Sequence, residues 1–383
     1  MKKIKILHLT HTDINFDNRI LKEITALSEE NNYEIFALGV LDPLGSRTKL
    51  EIDAKVKMIK LYSKKLTFFP RFVRHGLNIL ELFFPMILKG ILYRPSVIHC
   101  HDTLVLPIGS LIKIFTGAKL IYDAHELESN KNGQTAFLSK ATLLIERICW
   151  PLVNVLISVS PSILDWYEKK LGYKKNELIL NSPFIKKFKD EISNYKKNYF
   201  NDLYSIPDNR LIFIYLGMLE KGRGIEYAVK AFSSSKIKSH IVFIGHGSLE
   251  LEIILASKKF NNIHLHNPVP HEEVVSLVKN ADVGLCIVEN ISLSDYFCLP
   301  NKLFEYSFSG IPVLASNFPD IANYVSLFNL GTCTEINEES IISSIQDIEL
   351  NDGIKNKNFN NLFKLSWKQQ AKKLKNIYDE ILH

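Results

Sequence analysis

Three polar residues in the stretch 297–316 have types and spacing that suit chemistry. Asn301, Lys302 and Glu305 fall three or four positions apart, so in a helix they share one face. A helix start that carries an amide and an ammonium group attracts phosphate, and Glu305, one turn further on, can accept hydrogen bonds from a pair of hydroxyls. Such a face suits the pyrophosphate and ribose of a nucleotide. An exposed Lys302–Glu305 ion pair without a ligand is the alternative interpretation.

The residues around this face predict the elements that carry it. Pro300 fits the first position of a helix, and Gly310 fits the position after its end, where φ is usually positive. We therefore predict a helix over 300–309, followed by a buried strand over 311–315.

A second candidate is a glycine-rich loop, in which Gly217, Gly222 and Gly224 surround Arg223 between a predicted strand over 211–216 and a predicted helix. It is not a Walker motif, because Arg223 replaces lysine and Gly224 replaces the hydroxyl residue that binds Mg²⁺, which argues against ATP hydrolysis. An arginine among glycines still suits a diphosphate, since its guanidinium binds bidentately and keeps its charge. A tight turn with a solvated arginine is the alternative.

Further candidates follow predicted strands elsewhere in the chain. They are a polar loop and two histidine–acid pairs in the first half, and a glycine turn in the second half. The residues are Asp17 and Arg19, His101 and Asp102, His125 and Glu126, and Gly245, His246 and Gly247. The histidines and acids could bind hydroxyls or shuttle a proton, or they could be structural hydrogen-bonding groups. For the glycine turn, a plain turn is the default interpretation.

Several chemistries lack their sequence patterns. There is no Gly-x-Gly-x-x-Gly, so a dinucleotide redox cofactor is unsupported, and no Asp-x-Asp, which argues against a sugar nucleotide held on a divalent metal. No histidine or cysteine cluster has the spacing of zinc ligands, so we predict no metal site and no cofactor. The five cysteines are widely spaced and predicted to be reduced, as in a cytoplasmic protein.

Length and composition describe a two-domain globular protein. The chain has 383 residues, of which 46% are hydrophobic and 23% charged. The net charge of +6 is spread along the chain, which fits an anionic substrate or membrane surface better than nucleic acid, because no basic block is present. The start of the chain runs directly into a strand pattern, without a cleavable apolar segment.

The segment 68–92 is apolar and basic, and its apolar part is interrupted at Glu81, Pro85 and Lys89. The most apolar part, 77–92, is shorter than the roughly 20 residues that a membrane span needs. We expect either a pair of surface helices that lie on an anionic membrane, or core helices of the first domain.

Strand and helix patterns alternate along the chain, which is typical of βαβ units and parallel sheets. The alternation stops in the lysine-rich stretch 183–209, which we interpret as a linker, and restarts at 211. Helical periodicity over 366–382 predicts a C-terminal helix. The prediction is an α/β protein with two similar halves and a cleft between them, and ligands are expected beyond the carboxyl ends of the strands.

At this point the motifs resemble those of the family 4 glycosyltransferases. The resemblance covers most of the chain, and the order and spacing of the motifs are more specific than any one of them. The motifs are Asp17-Asn-Arg19, Ile98-His-Cys-His-Asp102, Tyr122-Asp-Ala-His-Glu126, Leu216 to Gly224, Gly245-His-Gly247, and Pro300-Asn-Lys-Leu-Phe-Glu-Tyr306 with Ser309-Gly-Ile-Pro312.

The resemblance implies a GT-B fold: two Rossmann-like domains, here 1–187 and 188–365, face a cleft, and a helix over 366–383 crosses back to the first. It implies a metal-independent, retaining transfer of a sugar from a nucleotide diphosphate sugar to a glycan or lipid-linked acceptor. By position, Arg223 and Lys302 resemble the pyrophosphate-binding cations, Glu305 the ribose-binding glutamate, and His125 the histidine that contacts the transferred sugar. The glycines of both loops, His246 and Asn301 fall on the donor side.

The acceptor side implied by the resemblance comprises the residues of the first half: Asp17, Arg19, His101, Asp102, His125 and Glu126. The sequence departs from the family pattern at Phe297, where many members have a glutamate that contacts the sugar, and Asp295 and Ser294 are candidate substitutes. Two other functions stay open: a nucleotide-sugar epimerase of the same fold, and a non-catalytic subunit that binds a sugar nucleotide. The expected setting is bacterial surface polysaccharide synthesis, in the cytoplasm or on the inner face of the membrane.

Overall fold

The computed structural model describes residues 3–41, 53–62, 68, 70–183, 198–270, 273–351, 353–354 and 361–382. The chain forms two compact units. The first comprises Met1–Asn181 and Lys368–His383, and the second comprises Ser182–Trp367. These boundaries differ by a few residues from the predicted ones at 187/188 and 365/366. Most of the predicted linker, 184–197, lies outside the described residues.

The first unit is built on a parallel sheet of seven strands in the order β3-β2-β1-β4-β5-β6-β7. Its strands are β1 Ile4–Leu9, β2 Tyr33–Val40, β3 Lys55–Ile59, β4 Val97–His101, β5 Lys119–Ala124, β6 Val155–Ser158 and β7 Lys175–Leu178. Its helices are α1 Asn18–Ser28, α2 Arg71–Tyr93, α3 Leu106–Thr116, α4 Ala136–Cys149 and α5 Pro161–Leu171, and the C-terminal helix joins the same unit. The central strands are buried on both faces because helices cover the sheet.

The second unit has a parallel sheet of six strands in the order β10-β9-β8-β11-β12-β13. Its strands are β8 Ile212–Leu216, β9 His240–Ile244, β10 Ile263–His266, β11 Val283–Cys286, β12 Val313–Ser316 and β13 Gly331–Thr334. Its helices are α6 Tyr199–Tyr204, α7 Ile225–Phe232, α8 Glu250–Lys259, α9 Val274–Val278, α10 Leu293–Tyr296, α11 Asn301–Ser309, α12 Pro319–Phe328 and α13 Glu338–Leu350. The C-terminal helix of the first unit is α14, Trp367–Leu382.

The predicted α/β class is confirmed, and both strand orders reverse direction inside the sheet. The reversal lies between β1 and β4 in the first unit and between β8 and β11 in the second. At such a point the loops after the two strands diverge and leave a crevice at the carboxyl edge, where ligands bind in sheets of this kind. The reversals therefore fix where each unit can hold a site.

Four local predictions differ from the structure. The apolar segment forms the single helix α2 instead of a helix pair, and this helix continues through Pro85. The buried residues Leu82 and Met86 flank the proline, so packing holds both halves of the helix on the unit. The apolar run over 178–180 predicts a short strand, but β7 ends at Leu178, and the amide of Leu180 donates to Oε1 of Gln370 on α14.

The other two differences lie in the second unit. The predicted linker includes helix α6, which is anchored by the buried Phe200. Pro300 precedes α11 as its N-cap with φ −71° and ψ 142°, whereas the prediction made it the first helical residue. Gly310 ends the helix with φ 79°, as predicted. All five cysteines are free, in agreement with the expectation of reduced thiols.

Tyr306 fastens α11 to the sheet. Its side chain is fully buried, its hydroxyl accepts from the amide of Leu216 at 2.8 Å, and the same hydroxyl donates to the carbonyl of Leu285 at 3.3 Å. A Cβ on Gly284 would lie 2.3 Å from the ring, so this glycine makes room for the tyrosine. The helix that carries Asn301, Lys302 and Glu305 is thereby held against β8 and β11.

We expect Tyr306→Phe to lower the free energy of unfolding by about 1–3 kcal/mol, because the buried amide of Leu216 loses its acceptor. Urea unfolding followed by fluorescence measures this change. Tyr173→Phe is the matched control, since the side chain of Tyr173 is 72% exposed and its substitution should leave stability unchanged. An unchanged midpoint in Tyr306→Phe would show that the hydroxyl does not fasten the helix.

Candidate active site

The glycine loops after β8 and β9 lie against each other, backbone to backbone. The amide of Gly217 donates to the carbonyl of Ile244 at 3.0 Å, and the amide of Leu219 donates to that of His246 at 2.9 Å. A Cβ on Gly245 would lie 1.8 Å from the carbonyl oxygen of Gly217. This contact accounts for the glycine at 245 by close approach. The imidazole of His246 is exposed at the surface.

The loop around Arg223 forms a concave turn that already holds a carboxylate. Gly222 and Gly224 have φ values of 83° and 76°, and Gly224 precedes the start of α7. The amide of Gly224 donates to Oε1 of Glu289 at 3.2 Å, and the amide of Glu289 donates to the carbonyl of Gly222 at 3.1 Å. Glu289 lies beyond the end of β11, on the other side of the sheet reversal. The carboxyl group of Glu289 is therefore hydrogen-bonded to an amide of the loop that the sequence indicates as suited to a diphosphate.

The environment of Glu289 disfavours its charge. Burial raises the pKa of its carboxyl group, the amide of Gly224 opposes this, and the negative charges of Glu226 and Asp295 raise the pKa further. A carboxyl group with a raised pKa gains a proton more easily as the pH falls. The sequence analysis missed Glu289, because a single glutamate in a loop after a strand carries no motif.

Lys302 is a buried cation without a hydrogen-bonded anion. Its residue is 9% exposed, and its Nζ lies 3.8 Å from the centroid of the Tyr215 ring. Across the part of the chain that the structure describes, no hydrogen-bond partner lies within reach of this ammonium group. A cation–π contact compensates only part of the cost of desolvation. The ammonium group of Lys302 therefore has hydrogen-bond donors that an anion could accept.

Two thiols experience the charges of the predicted donor residues. Burial raises the pKa of the Cys298 thiol, and the positive charges of Arg223 and Lys302 both oppose that rise. Burial raises the pKa of Cys286 to about 12, with Lys302 lowering it and Glu305 raising it. Arg223 is exposed and Glu305 half-buried, so both are open to solvent. Asn301 is exposed at the first position of α11.

The segment before α11 shows where Phe297 and its candidate substitutes lie. Phe297 ends the short helix α10, and its ring lies 5.6 Å from that of Tyr296. Ser294 and Asp295 are both buried on α10. Asp295 accepts a hydrogen bond from the hydroxyl of Ser292 at 2.8 Å, and its charge acts on Cys298 together with Arg223 and Lys302.

In the first unit, Arg19 and Asp123 form a buried bidentate ion pair. Arg19 Nη2 lies 2.8 Å from Oδ1 of Asp123, and Arg19 Nε lies 3.1 Å from Oδ2. Glu23, one turn along α1, lies 3.2 Å from the same guanidinium, and the carbonyl of Ile179 accepts from Nη1 at 2.8 Å. Asp17 has a local role, because its Oδ1 caps α1 at the amide of Ile20.

His125 is the partly exposed end of this arrangement. Its Nε2 lies 3.2 Å from Oδ2 of Asp123, and its Nδ1 lies 3.7 Å from Oδ1 of Asp102. Although burial opposes the charged form, the carboxylates of Asp102 and Asp123 raise the pKa of His125 to about 10. The predicted residues Arg19, His101, Asp102 and His125 are thus brought together. Glu126 differs from them, since it is exposed.

Behind His125 lies a stack of three buried imidazoles that the sequence analysis did not find. The His99 ring lies 4.8 Å from that of His8 and 4.4 Å from that of His101. Nδ1 of His8 lies 3.0 Å from Nε2 of His101, and Nδ1 of His99 lies 2.7 Å from the Tyr378 hydroxyl on α14. Burial lowers the pKa of all three histidines, that of His99 to about 3.

Four side chains around this stack are close enough to one another to suggest a metal centre. Ligand atoms of Glu23, His99, His101 and Asp123 lie within 4.8 Å of one another. However, the Arg19 guanidinium already binds both oxygens of Asp123, and the His99 and His101 rings are stacked at 14°, so their lone pairs lie in two nearly parallel planes. Lone pairs in separate parallel planes do not converge on one ion. This arrangement is that of a charge network, and the absence of a metal in the protein stays a prediction.

A family model and a curated relative match this chain in sequence. Residues 200–364 match the family model described as glycosyl transferases group 1. The chitobiosyldiphosphodolichol beta-mannosyltransferase of Kluyveromyces lactis is 22% identical to this chain over 418 residues, which cover 98% of this chain and 91% of the relative.

Solved structures share the fold over the whole chain. Sucrose-phosphate synthase from Thermosynechococcus elongatus superposes with a TM-score of 0.77 at 15% identity, covering 99% of both chains. The Anabaena protein HepE in complex with UDP-glucose superposes with a TM-score of 0.73 at 11% identity, covering 98% of this chain and 100% of HepE. The predicted GT-B fold is therefore confirmed, and within this fold residues 200–364 match the model of the glycosyl transferases of group 1.

Proposed function

We propose that this enzyme transfers a sugar from a nucleoside diphosphate sugar to a glycan or lipid-linked acceptor, with retention and without a metal. The observation that carries the proposal is the buried Lys302 ammonium group, which lacks a hydrogen-bonded anion and lies in the same neighbourhood as Arg223 at the carboxyl edge of the second sheet. The sugar nucleotide bound to HepE supports this choice of donor.

The chemistry required of these residues is stabilisation of the leaving group. As the bond between C1 of the sugar and the phosphate oxygen breaks, negative charge grows on the diphosphate, and Arg223 and Lys302 compensate it. The acceptor hydroxyl attacks C1 from the face that the diphosphate leaves, and its proton passes to the departing phosphate oxygen. Glu305, one turn along α11, accepts hydrogen bonds from the ribose hydroxyls. Asp295 takes the part of the missing glutamate at position 297.

On the acceptor side, the proposal uses the residues around His125 and an open pocket after β1. This pocket has a volume of about 400 Å³, and its lining includes His11, Asp13, Phe16 and Asp17. Its polar groups suit hydroxyls, and the exposed Phe16 ring suits the apolar face of a sugar. A bacterial surface polysaccharide is the proposed product, and the stereochemistry is read from the anomeric proton of the product by NMR.

We expect Arg223→Ala to lower kcat with the true donor by about 100-fold to 1,000-fold, the usual cost of losing one group that stabilises transition-state charge. The side chain of Arg223 is exposed, so the variant should fold normally. Lys221→Ala is the matched control, because Lys221 is exposed in the same loop. Steady-state kinetics follow a thermal-shift screen that identifies the donor. Unchanged turnover in Arg223→Ala would remove this residue from the mechanism.

The same assay separates the transferase from its two alternatives. Conversion of the free donor into another sugar nucleotide without an acceptor would identify an epimerase. Tight donor binding without hydrolysis, and without transfer to any acceptor tried, would identify a non-catalytic binding subunit.

A second prediction concerns Glu289, whose carboxylate competes with the diphosphate for the amide of Gly224. We expect Glu289→Gln to bind a nucleoside diphosphate about tenfold more tightly, the order expected when one like charge beside the anion is removed. The difference from the wild type should shrink as the pH falls, because protonation of Glu289 also removes this charge. Calorimetry at several pH values measures both effects, with the exposed Glu252→Gln as control. Weaker binding in Glu289→Gln would contradict the competition.

We further propose that helix α2 and its neighbours rest on an anionic membrane at the inner face of the cell membrane. By length and composition, Gly76–Tyr93 is the one helix of the described residues that could cross a membrane, and 17% of this stretch is buried. Leu82 and Met86 pack it onto the first unit. Large apolar side chains are exposed along α2, α3 and α4: Leu80, Phe84, Leu88, Leu92, Ile114, Phe115, Phe137 and Ile148. Lys140 and Arg147 add exposed positive charge on α4.

Sedimentation with lipid vesicles tests this surface. We expect the protein to bind vesicles that contain phosphatidylglycerol, to bind less at high salt, and to lose most binding in the double variant Phe84→Asp/Phe137→Asp. Leu251→Asp is the control, since Leu251 is 65% exposed on the second unit. Equal binding by both variants would contradict the proposed surface.

A further inference from the structure

We propose that Arg19 and Asp123 are a positioning pair that holds His125 as a positively charged hydrogen-bond donor, so that His125 recognises an oxygen of the substrate instead of accepting a proton. The substrate side of this inference rests on the proposed function. It chooses between the two roles that the sequence leaves open for the histidine–acid pairs, hydroxyl binding and proton shuttling.

Arg19 fixes the orientation of the Asp123 side chain. Its residue is 0% exposed, and both carboxylate oxygens are fixed by the bidentate contact with Arg19. An ionised carboxylate can only accept hydrogen bonds. Oδ2 lies 3.2 Å from Nε2 of His125, so this ring nitrogen must carry a hydrogen. Arg19 thus determines the orientation of the imidazole, although it does not touch it.

The second step concerns the other ring nitrogen. Nδ1 of His125 faces Oδ1 of Asp102 at 3.7 Å, so a carboxylate lies on each side of the ring and favours a proton on each nitrogen. A separation of 3.7 Å is too long for a good hydrogen bond. The Nδ1–H group is therefore attracted by Asp102 and still free to donate to a ligand oxygen. The side chain is 16% exposed, which leaves it an approach from solvent.

The third step is the direction of the hydrogen bonds behind His125. His101 Nδ1 lies 3.2 Å from His125 Nε2, and His101 Nε2 lies 3.0 Å from His8 Nδ1. The one hydrogen on His125 Nε2 is then shared between Asp123 Oδ2 and His101 Nδ1, each 3.2 Å away. A neutral His101 that accepts at Nδ1 carries its own hydrogen on Nε2 and donates it to His8. Burial lowers the pKa of His101 and of His8, which keeps both neutral. The stack therefore stabilises a charged His125 without adding a second cation.

The remaining charged groups around His125 complete the balance. Arg19 and Glu23 face it from α1, His11 from the loop after β1, Asp102 and His101 from the end of β4, and Asp123 from β5. Burial and the charge of Asp123 raise the pKa of Glu23 to about 8, which disfavours a second negative charge beside Asp123. Asp123 compensates both Arg19 and His125, and Asp102 faces His125 together with Lys131 and His11.

The inference predicts the chemistry of the ligand group that meets His125. A charged imidazole with a free N–H suits a hydroxyl oxygen of the transferred sugar or a phosphate oxygen of the acceptor, and it cannot act as a base. A rise in KM for the donor in His125→Gln would point to the sugar, and a rise in KM for the acceptor would point to its phosphate.

Histidine NMR tests the charge directly in the free protein, whether or not the proposed reaction is correct. The ¹⁵N shifts of the His125 ring, assigned by comparison with His125→Gln, should be those of an imidazolium throughout the range from about pH 6 to pH 8. In Asp102→Asn, which leaves the Arg19–Asp123 pair intact, the titration midpoint should move down by at least about one pH unit. A neutral His125 ring at pH 7.5 in the wild type would overturn the inference.

The positioning role is tested by pH–rate profiles of Asp123→Asn and of the conservative Arg19→Lys, with the exposed Asp165→Asn as control. If the pair keeps His125 charged, the pH at which kcat/KM begins to fall should be lower in these variants than in the wild type. Above this pH, kcat/KM should fall about tenfold per pH unit, and lowering the pH should restore activity. A purely structural role would lower activity equally at all pH values. Stoichiometric transition metal in the purified protein, lost in His99→Gln, would also overturn the charge network.

Discussion

The constraint on which this structure depends is that all strands of each sheet run parallel, so every strand delivers its carboxyl end to the same edge. Because the strand order reverses beside β1 in one unit and beside β8 in the other, the loops after these strands cannot pack over the edge. Within the first unit, the polar residues gather at the edge of its own sheet, and within the second unit the glycine loops do the same, although the members of each set are far apart in sequence. The site chemistry of each unit is thus a result of strand order.

Much of the fold was predictable because buried parallel strands are short apolar runs between helical patterns. The same rule failed at Leu178–Leu180, where the apolar run continues beyond β7 since α14 covers it. It also missed α6, whose polar surface hides the single anchor Phe200. Pro85 did not break α2, because packing on both sides of the proline outweighs one lost backbone hydrogen bond. In each case a tertiary contact, which a local pattern does not contain, decided the outcome.

The residues of the candidate site that belong to a sequence motif were predictable. Those that are brought together only by the pairing of strands were not. Arg19, His101 and His125 stand out as polar groups at strand ends, and the structure brings them together. His8 and His99 lie inside apolar strands, and they meet only because β1 pairs with β4 in a register that sets His8 opposite His99. In the sequence, Tyr378 is one more apolar position of the last helix. The structure shows that its hydroxyl forms a hydrogen bond with His99. To predict this contact from the sequence, one would need to know that β1 and β4 are neighbours and which of their residues pair.

The carboxylate of Glu289 in the turn at Gly224 has a consequence for the energetics of ligand capture. An empty turn of converging amides would repel its own dipoles and relax. With the carboxyl group of Glu289 hydrogen-bonded to the Gly224 amide, the turn keeps its shape without a ligand. A diphosphate bound as proposed would replace this carboxyl group without having to order the backbone, because the conformational entropy of the turn is already lost during folding.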